Sequence, residues 1–371
     1  MPNQKNAKRK PPKRVTEEKE EKQPQQSMGI AAHGAQELTE VIVKSYNLEI
    51  RDEEGFVGDR ASGRAFRALL DEVRAQVSEM TKDPLGKKPS KELSKKQLDR
   101  ILANGDTVAA GIIHGTIEEF AQQLAGVVRR YLRLKAWRDT ECIVVGGGIR
   151  QSRVGELIIG RAAVILKSER IDVDLLPIRA HPDEAGLIGS AHLAPSWLYQ
   201  GFDGLLAVDI GGSNIRTGIV KLNAKRSPDL SHASVDDFEI WRHSEEKPKR
   251  EEAVDRLIEM LKRSISTASK ERIKLAPLIA IGCPGEIAAD GSINTGAQNL
   301  PGNWESTRFN LPTLIRERIP AIGKHETAVI LHNDAVVQGL SEVPFMHDVK
   351  HWAVLTIGTG LGNASFKNKK A

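Results

Sequence analysis

Asp209, Gly211, Gly212 and Ser213 fall within five residues, after the apolar run 205–208 and before the apolar run 215–220. Short apolar runs bounded by turn residues read as buried strands, so the pattern is strand, glycine turn, strand. Glycine leaves the N–H groups of a turn uncovered, and such a turn can cradle a phosphate. Asp209 sits where a carboxylate could hold a metal-bound water beside that phosphate. The same residues also suit an ordinary hairpin with a Gly-Gly turn. A second stretch repeats the design: the run 351–357 leads into Gly358, Thr359 and Gly360, with Gly362 and another short apolar run beyond. A third run, 142–145, ends in Gly146, Gly147 and Gly148. Two strand-glycine-strand hairpins in one chain suggest two lobes gripping one phosphate tail from opposite sides.

Together the three stretches resemble the phosphate-1, phosphate-2 and adenosine segments of the actin, Hsp70 and sugar-kinase superfamily. The resemblance is closest to the bacterial ROK family of sugar kinases and repressors. Its marks are Cys283, Pro284, Gly285 and Glu286; Asn299, Leu300, Pro301, Gly302, Asn303 and Trp304; Asn333, Asp334 and Ala335; and Gly358, Thr359 and Gly360. It covers roughly residues 30–366. The resemblance implies an α/β fold of two ribonuclease-H-like lobes, the actin/hexokinase-type ATPase architecture. It also implies ATP-dependent phosphorylation of a hexose, as in a glucokinase-like enzyme, with Mg²⁺. Gly211, Gly212 and Ser213 would then hold one side of the triphosphate and Gly358, Thr359 and Gly360 the other. Asp209 would orient Mg²⁺ through water, and Gly146, Gly147 and Gly148 would accept the adenosine, glycine leaving the nucleotide its place. Asp334 would be the base that takes the proton of the attacking sugar hydroxyl. An Asp capping the helix read over 336–342 is the alternative. Asn299 and Asn333 would hold the sugar, and Glu37 occupies the glutamate position of the family's Gly-Glu-X-Gly-His element.

The chain departs from the family in two ways. The segments come in circularly permuted order: the adenosine segment and its closing helix precede phosphate-1, and phosphate-2 is almost last. The ends of the polypeptide would therefore have to pair, 363–366 against a strand near 29–32, at a closure cost that rises only slowly with length. The second departure is the metal-binding run. Glu40 stands where the family has histidine, and 52–58 carries none of its cysteines, so no zinc site is expected.

The elements that must position these residues are legible from period and turn chemistry. Ser62 caps a helix read over 65–80; 81–98 reads as an exposed loop and a polar helix start. Val108, Ile112, Ile113, Ile117, Phe120, Leu124 and Val127 recur at helical spacing in a helix read from 105 to about 136. Helices over 154–167 and 251–269 and strands over 173–177, 278–282 and 329–331 follow, with a short strand over 39–44. Residues 197–204 suit a joint between the old chain ends. The domains read as a tail 1–27, a lobe 28–200, a lobe 201–348, and a hairpin 349–371 belonging to the first lobe.

Bulk numbers bound the class. A chain of 371 residues, 40% apolar and 28% charged, suits two lobes with sizeable cores. Cys142 and Cys283 are far apart and each lies in an apolar stretch, as free thiols do in a reducing cytoplasm. No run is long enough to span a bilayer and no apolar leader is read, so a cytoplasmic protein is expected. Residues 1–27 carry eight Lys/Arg against four Glu, and Lys367, Lys369 and Lys370 add three more, so the ends hold +7 against +5 for the whole. The tail is too polar to fold and should be disordered. Nucleic-acid contact is thus not expected except through basic tails; the partner is a small-molecule sugar, and a homodimer is common in the family. Three rivals remain: a sugar-sensing repressor, for which no winged helix-turn-helix is read before residue 45; a catalytically weak or inactive sugar- or nucleotide-binding regulatory protein; and a nucleotide-gated scaffold, against which the Asn299 loop and the Asn333–Asp334 pair argue.

Overall fold

The computed structural model describes residues 31–369, so the tail 1–27 and the first half of the strand expected near 29–32 lie outside the described residues. The chain opens with β1 (Val41–Tyr46) and a small hairpin, β2 (Arg51–Asp52) and β3 (Gly55–Phe56). Three helices follow, α1 (Gly63–Ser78), α2 (Lys95–Asn104) and α3 (Thr107–Leu132), then β4 (Cys142–Gly146), α4 (Arg153–Ser168) and β5 (Asp174–Pro177). Helix α5 (Ala185–Ser190) leads to β6 (Gly204–Ile210), β7 (Ile215–Lys221), β8 (Ser234–Trp241), α6 (His243–Glu246), α7 (Arg250–Lys270) and β9 (Leu275–Cys283). Then come α8 (Leu311–Arg318), the hairpin β10 (Ala321–Ile322) and β11 (His325–Glu326), β12 (Ala328–Asn333), α9 (Asp334–Leu340), β13 (His351–Ile357) and β14 (Leu361–Asn368).

Two five-stranded sheets share one plan. The first runs β1-β14-β13-β4-β5 and the second β8-β7-β6-β9-β12. In each, three strands are parallel (β13, β4, β5; β6, β9, β12) and two antiparallel strands complete the other side. Parallel strands need both faces covered, and the covering is uneven in kind. Phe66, Leu98, Ile113 and Ile158 of α1 to α4 cover one face of the first sheet. Leu257, Leu261 and Ile315 of α7 and α8 cover one face of the second. Between the sheets lie α5 and α9, whose Leu187, Val336 and Leu340 pack with Val144, Val354 and Phe366 of the first sheet and Leu205, Ala280 and Ile330 of the second. Both cysteines are free and buried. Among the described residues no helix is long and apolar enough to cross a membrane.

Helix starts follow side-chain chemistry. Ser62 accepts from the Ala65 N–H, Asp106 from Val108 and Ala109, and Ser94 forms a capping box with Gln97. Several sequence expectations shift. The long helix ends at Leu132, and successive turns at 134, 137 and 140 bring Trp137 into the core. The helix expected over 336–342 begins at Asp334 and is capped by Asn333. Residues 31–32 form no strand; β14 pairs instead with β1, Val41 opposite Asn368 and Tyr46 opposite Ala364. Strand β8 was not read at all. It is an edge strand whose pairing slips between Thr217 and Ile219, with Asp237 at φ 48°, so its alternation is broken by a bulge.

The tightest helix contact is α5 against α9. A β-carbon at Gly189 would be driven into the Val337 carbonyl oxygen and lie 2.9 Å from the Ser341 nitrogen. Gly189→Ala is therefore expected to destabilise the fold by about 1–3 kcal/mol, since backbone must move. Gly115→Ala, on α3 where a β-carbon meets nothing within 4 Å, should be neutral or stabilising by up to about 1 kcal/mol. Denaturant melts of the two variants side by side check this; equal stabilities would contradict the close crossing.

Candidate active site

The carboxyl ends of β6, β9 and β12 carry the chemistry-bearing residues side by side. Asp209 is in register with Gly282, and Gly282 with His332, the residue two before Asp334. Gly282 puts no side chain between the two aspartates, where a β-carbon would lie 3.5 Å from the Asp334 Cα. Asp209 is 1% exposed. Its Oδ2 accepts from Arg216 Nη1 at 3.1 Å, and its Oδ1 is buried with no partner among the described residues. Burial raises the Asp209 carboxyl above the usual carboxylate range against the pull of Arg216. Asp334 is half-buried and its Oδ1 accepts from the Ala335 N–H at 2.9 Å. Burial, reinforced by the charge of Asp209, pushes Asp334 up to about 7. Cys283 lies with them, its thiol raised well above normal by burial and then by the two aspartates, so it stays protonated.

The two glycine turns meet. Ser213 Oγ and Thr359 Oγ1, 146 positions apart, are 3.0 Å from each other. Each turn is braced from behind: His243 Nε2 donates to the Gly211 carbonyl at 2.8 Å, and the Gly63 N–H at the start of α1 donates to Gly358 at 2.9 Å. The N–H groups of Gly212, Ser213, Thr359 and Gly360 make no hydrogen bond to the described residues, which fits an anion. With the hydroxyls in contact, a phosphate enters only if the turns part, at the cost of one exposed hydrogen bond of about 1 kcal/mol. A hard cation held through water fits the unshared, buried oxygen of Asp209 beside this anion cradle.

The remaining expected residues divide. Asn299 joins the site: a β-carbon at Gly212 would lie 3.0 Å from its Cβ. Asn333 adjoins it but its amide is occupied, Oδ1 accepting from the Ala335 and Val336 N–H groups and Nδ2 donating to Gly285 at 2.9 Å. It therefore orients the start of α9, and with it Asp334. Glu37 is not brought to the site. It bridges to Ile42 in a hairpin beside β1, and its exposed carboxylate faces Lys369, 3.9 Å away, at the end of β14 remote from the 358–360 turn. The residues of that segment that do reach β12 are His33, which accepts from the Leu331 N–H, Gly34, which donates to the Leu331 carbonyl, and Ala35, which accepts from His332 Nε2. His332 is held neutral, down to about 4, by burial.

Gly146, Gly147 and Gly148 lie together, but protein, not open space, faces all three, a β-carbon at Gly146 lying 3.3 Å from Ile178 Cδ1. Gly147, at φ 77°, would place a β-carbon 2.6–2.8 Å from the Ile357 backbone, and one at Gly148 would lie 3.0 Å from Lys95 Nζ. Sequence reasoning missed Lys95, Gln151, Asp183 and His243. Arg216 was recoverable once the turn is read as the four residues 211–214, a register that sets it opposite Asp209. Asp183 accepts from Arg216 and Gln151; burial pulls its carboxyl up, but Arg216, with Gln151 and His181, offsets this and leaves it below the usual range.

No family model matches the chain, and no curated protein matches it. Solved structures similar to it are sugar kinases, the class its motifs resemble. One is a proposed N-acetylmannosamine kinase from Listeria monocytogenes, at 24% identity and TM-score 0.32, covering 45% of this chain and 48% of that one. Another is a proposed sugar kinase from Cytophaga hutchinsonii, at 17% identity, TM-score 0.31 and the same coverages. A third is the inorganic polyphosphate/ATP-glucomannokinase of Arthrobacter sp. strain KM, at 21% identity and TM-score 0.32, covering 45% of this chain and 61% of that one. The chain thus spans about half the length of the first two, and likeness of this extent leaves function to be read from its own residues.

Asp334 supplies a direct test. Its raised carboxyl means the folded state holds a proton that the unfolded state releases near pH 4, so stability falls as pH rises from about 4 to about 7 and levels off above. Asp334→Asn, which removes the charge, is expected to raise the melting temperature at pH 8, by on the order of a few kcal/mol of stability, with the gain shrinking toward pH 4. Melts of both proteins across this range read it out; a gain independent of pH would refute the raised carboxyl.

Proposed function

We propose that this protein is an ATP-dependent sugar kinase that transfers the γ-phosphate of ATP to a hydroxyl of a hexose. The observation that carries the reading is the meeting of the Ser213 and Thr359 turns, from distant parts of the chain, at a site holding a carboxyl poised near neutrality. Open N–H groups of the 212–213 and 359–360 positions would bind phosphate oxygens from two sides, holding the triphosphate in line for transfer. Mg²⁺ beside Asp209 would carry part of the charge of the phosphates. Asp334 would accept the proton of the attacking hydroxyl at its carboxylate, a base with its pKa near the working pH being the effective kind. Asn299, with one acceptor and two donors, would orient the sugar next to the 211–213 turn.

Two ribonuclease-H-like lobes, 28–200 with 349–371 and 201–348, account for the repeated sheet plan. Circular permutation accounts for the order: the first sheet has the plan of the second if the chain is opened between β14 and β1. What supports this is that the Lys369 N–H donates to the Glu40 carbonyl at 2.9 Å, so the end of β14 lies beside the start of β1, where a hairpin between them would close. Joining Lys369 to Ala31 by about eight flexible residues, enough at ~3.3 Å each to run the length of β1, and opening the chain at Gln200–Gly201 should give a folded protein melting within a few degrees of the natural one. A relinked chain that does not fold would count against the permutation.

A second reading is a sugar- or nucleotide-binding regulator without phosphotransfer. It is favoured by the placement of Glu37 away from the site and by the engagement of the Asn333 amide with the start of α9 and with Gly285. Incubation with Mg-ATP and a panel of hexoses and N-acetylhexosamines separates the two. The kinase reading expects turnover of at least one sugar, reduced about 10²–10⁴-fold by Asp334→Ala with nucleotide affinity retained. Binding of ATP with no sugar phosphorylated would leave the regulator standing.

A further inference from the structure

Lys95 belongs to no motif, and the helix that carries it was not expected as a separate element. Helix α2 is nonetheless firmly docked. Leu98 is buried, and Asp99 accepts from the Arg153 and Val154 N–H groups at 3.1 and 3.0 Å, capping the start of α4. That holds the first turn of α2 over the 146–148 turn. From there the half-buried Lys95 donates from Nζ to Gln151 Oε1 at 2.7 Å, beside Gly148. Gly147 presses on Ile357, the residue before Gly358, so the 146–148 turn beside the ammonium adjoins the strand end that leads into the 358–360 turn.

The groups around it form one connected chain. Gln151 Nε2 donates to Asp183 Oδ2 at 2.8 Å, Arg216 donates to Asp183 Oδ1 at 2.8 and 3.0 Å, and Arg216 continues to Asp209 at 3.1 Å. Gln151 takes one of the three donors of the ammonium, and no other acceptor within hydrogen-bond distance is found among the described residues. Burial lowers the Lys95 pKa, Asp183 pulls it back up, and Arg67 and Arg216 lower it further. A cation kept partly from water, beside two other cations, with unused donors and its neighbouring carboxylate Asp183 already bound to Arg216, can take a further anion.

We propose that Lys95 grips the phosphate chain of the nucleotide, donating from Nζ to its non-bridging oxygens, with Gln151 and Asp183 positioning the ammonium. The inference rests on the kinase reading and adds to it a phosphate ligand outside both glycine turns. Calorimetric titration of the full chain with Mg-ATP and with adenosine tests it. Lys95→Gln is expected to weaken Mg-ATP roughly tenfold to a hundredfold, the range of charge-assisted hydrogen bonds, and to leave adenosine within about twofold. Lys95→Arg should recover most of the loss, and in turnover the defect of Lys95→Gln should sit in KM for ATP rather than in kcat. A wild-type protein that binds Mg-ATP while Lys95→Gln binds it equally well would overturn the inference alone. So would a parallel loss of adenosine affinity, which marks a distorted turn. A wild-type protein that binds no adenine nucleotide would bring down the kinase reading and this inference together.

Discussion

The contact on which the site depends is the crossing of α5 and α9 at Gly189. Backbone meets backbone there because neither helix interposes a side chain, and the two sheets are brought as near as their inner faces allow. The same short helix carries Gly186, where a β-carbon would lie 2.7 Å from the Asp209 carboxyl carbon. Helix α9, in turn, begins with Asp334 and packs Gly339 against the Phe366 ring of the first sheet. One pair of helices therefore sets the distance between the sheets, the burial of one aspartate and the position of the other. Close-packed interiors transmit displacement instead of absorbing it, so enlarging either glycine would move the carboxylates as well as the helices.

Electrostatics explains why so few charges occupy the centre of this site. Asp209 and Asp334 flank the bare Gly282, and burial raises both, with the charge of Asp183 adding to the rise at Asp209 and the charge of Asp209 to that at Asp334. Arg216 relieves Asp209 on one oxygen only, through Nη1, while its Nε and Nη2 donate to Asp183. The second oxygen of Asp209 stays buried without a partner, a cost tolerated where a ligand supplies the missing charge. A cation near Asp209 would remove the charge that helps keep Asp334 protonated, so occupancy of the one carboxylate is coupled to the ionisation of the other.

Much of this was legible before any coordinates. Strands β6, β9 and β13 are continuous apolar runs because both faces are covered, and the glycine turns at their ends follow from short, unambiguous spacing. Asp209, Ser213, Asn299, Asp334 and Thr359 converge because those turns sit at strand ends, where few placements are available. Side-chain bookkeeping was not legible. The Asn333 amide satisfies helix N–H groups, a local demand indistinguishable in sequence from ligand binding. Glu37 sits on a hairpin whose register, Gln36 opposite Val43, turns its carboxylate toward Lys369. Lys95 comes from a helix whose docking through Asp99 is a tertiary contact with no periodic trace.

The placement of the 358–360 turn shows how little the site needs an unbroken chain. Strand β14 leaves that turn between β13 and β1, and β1 comes from the opposite end of the polypeptide. Three residues past Gly360, the buried Asn363 accepts from the Leu48 N–H and donates to the Leu48 carbonyl, both at 3.0 Å, so its amide continues the ladder beyond Tyr46. Tyr131 Oη donates to the same Leu48 carbonyl, tying α3 to the junction, and Ser45 bonds Ser365 one step further along. Bringing together residues more than 300 positions apart costs only logarithmically more than closing a short hairpin. Once paired, β1 supports the turn through hydrogen bonds that do not record which peptide bonds join the strands. The meeting of the two turns is thus a property of sheet order, which the order of segments along the chain need not change for Thr359 to stay beside Ser213.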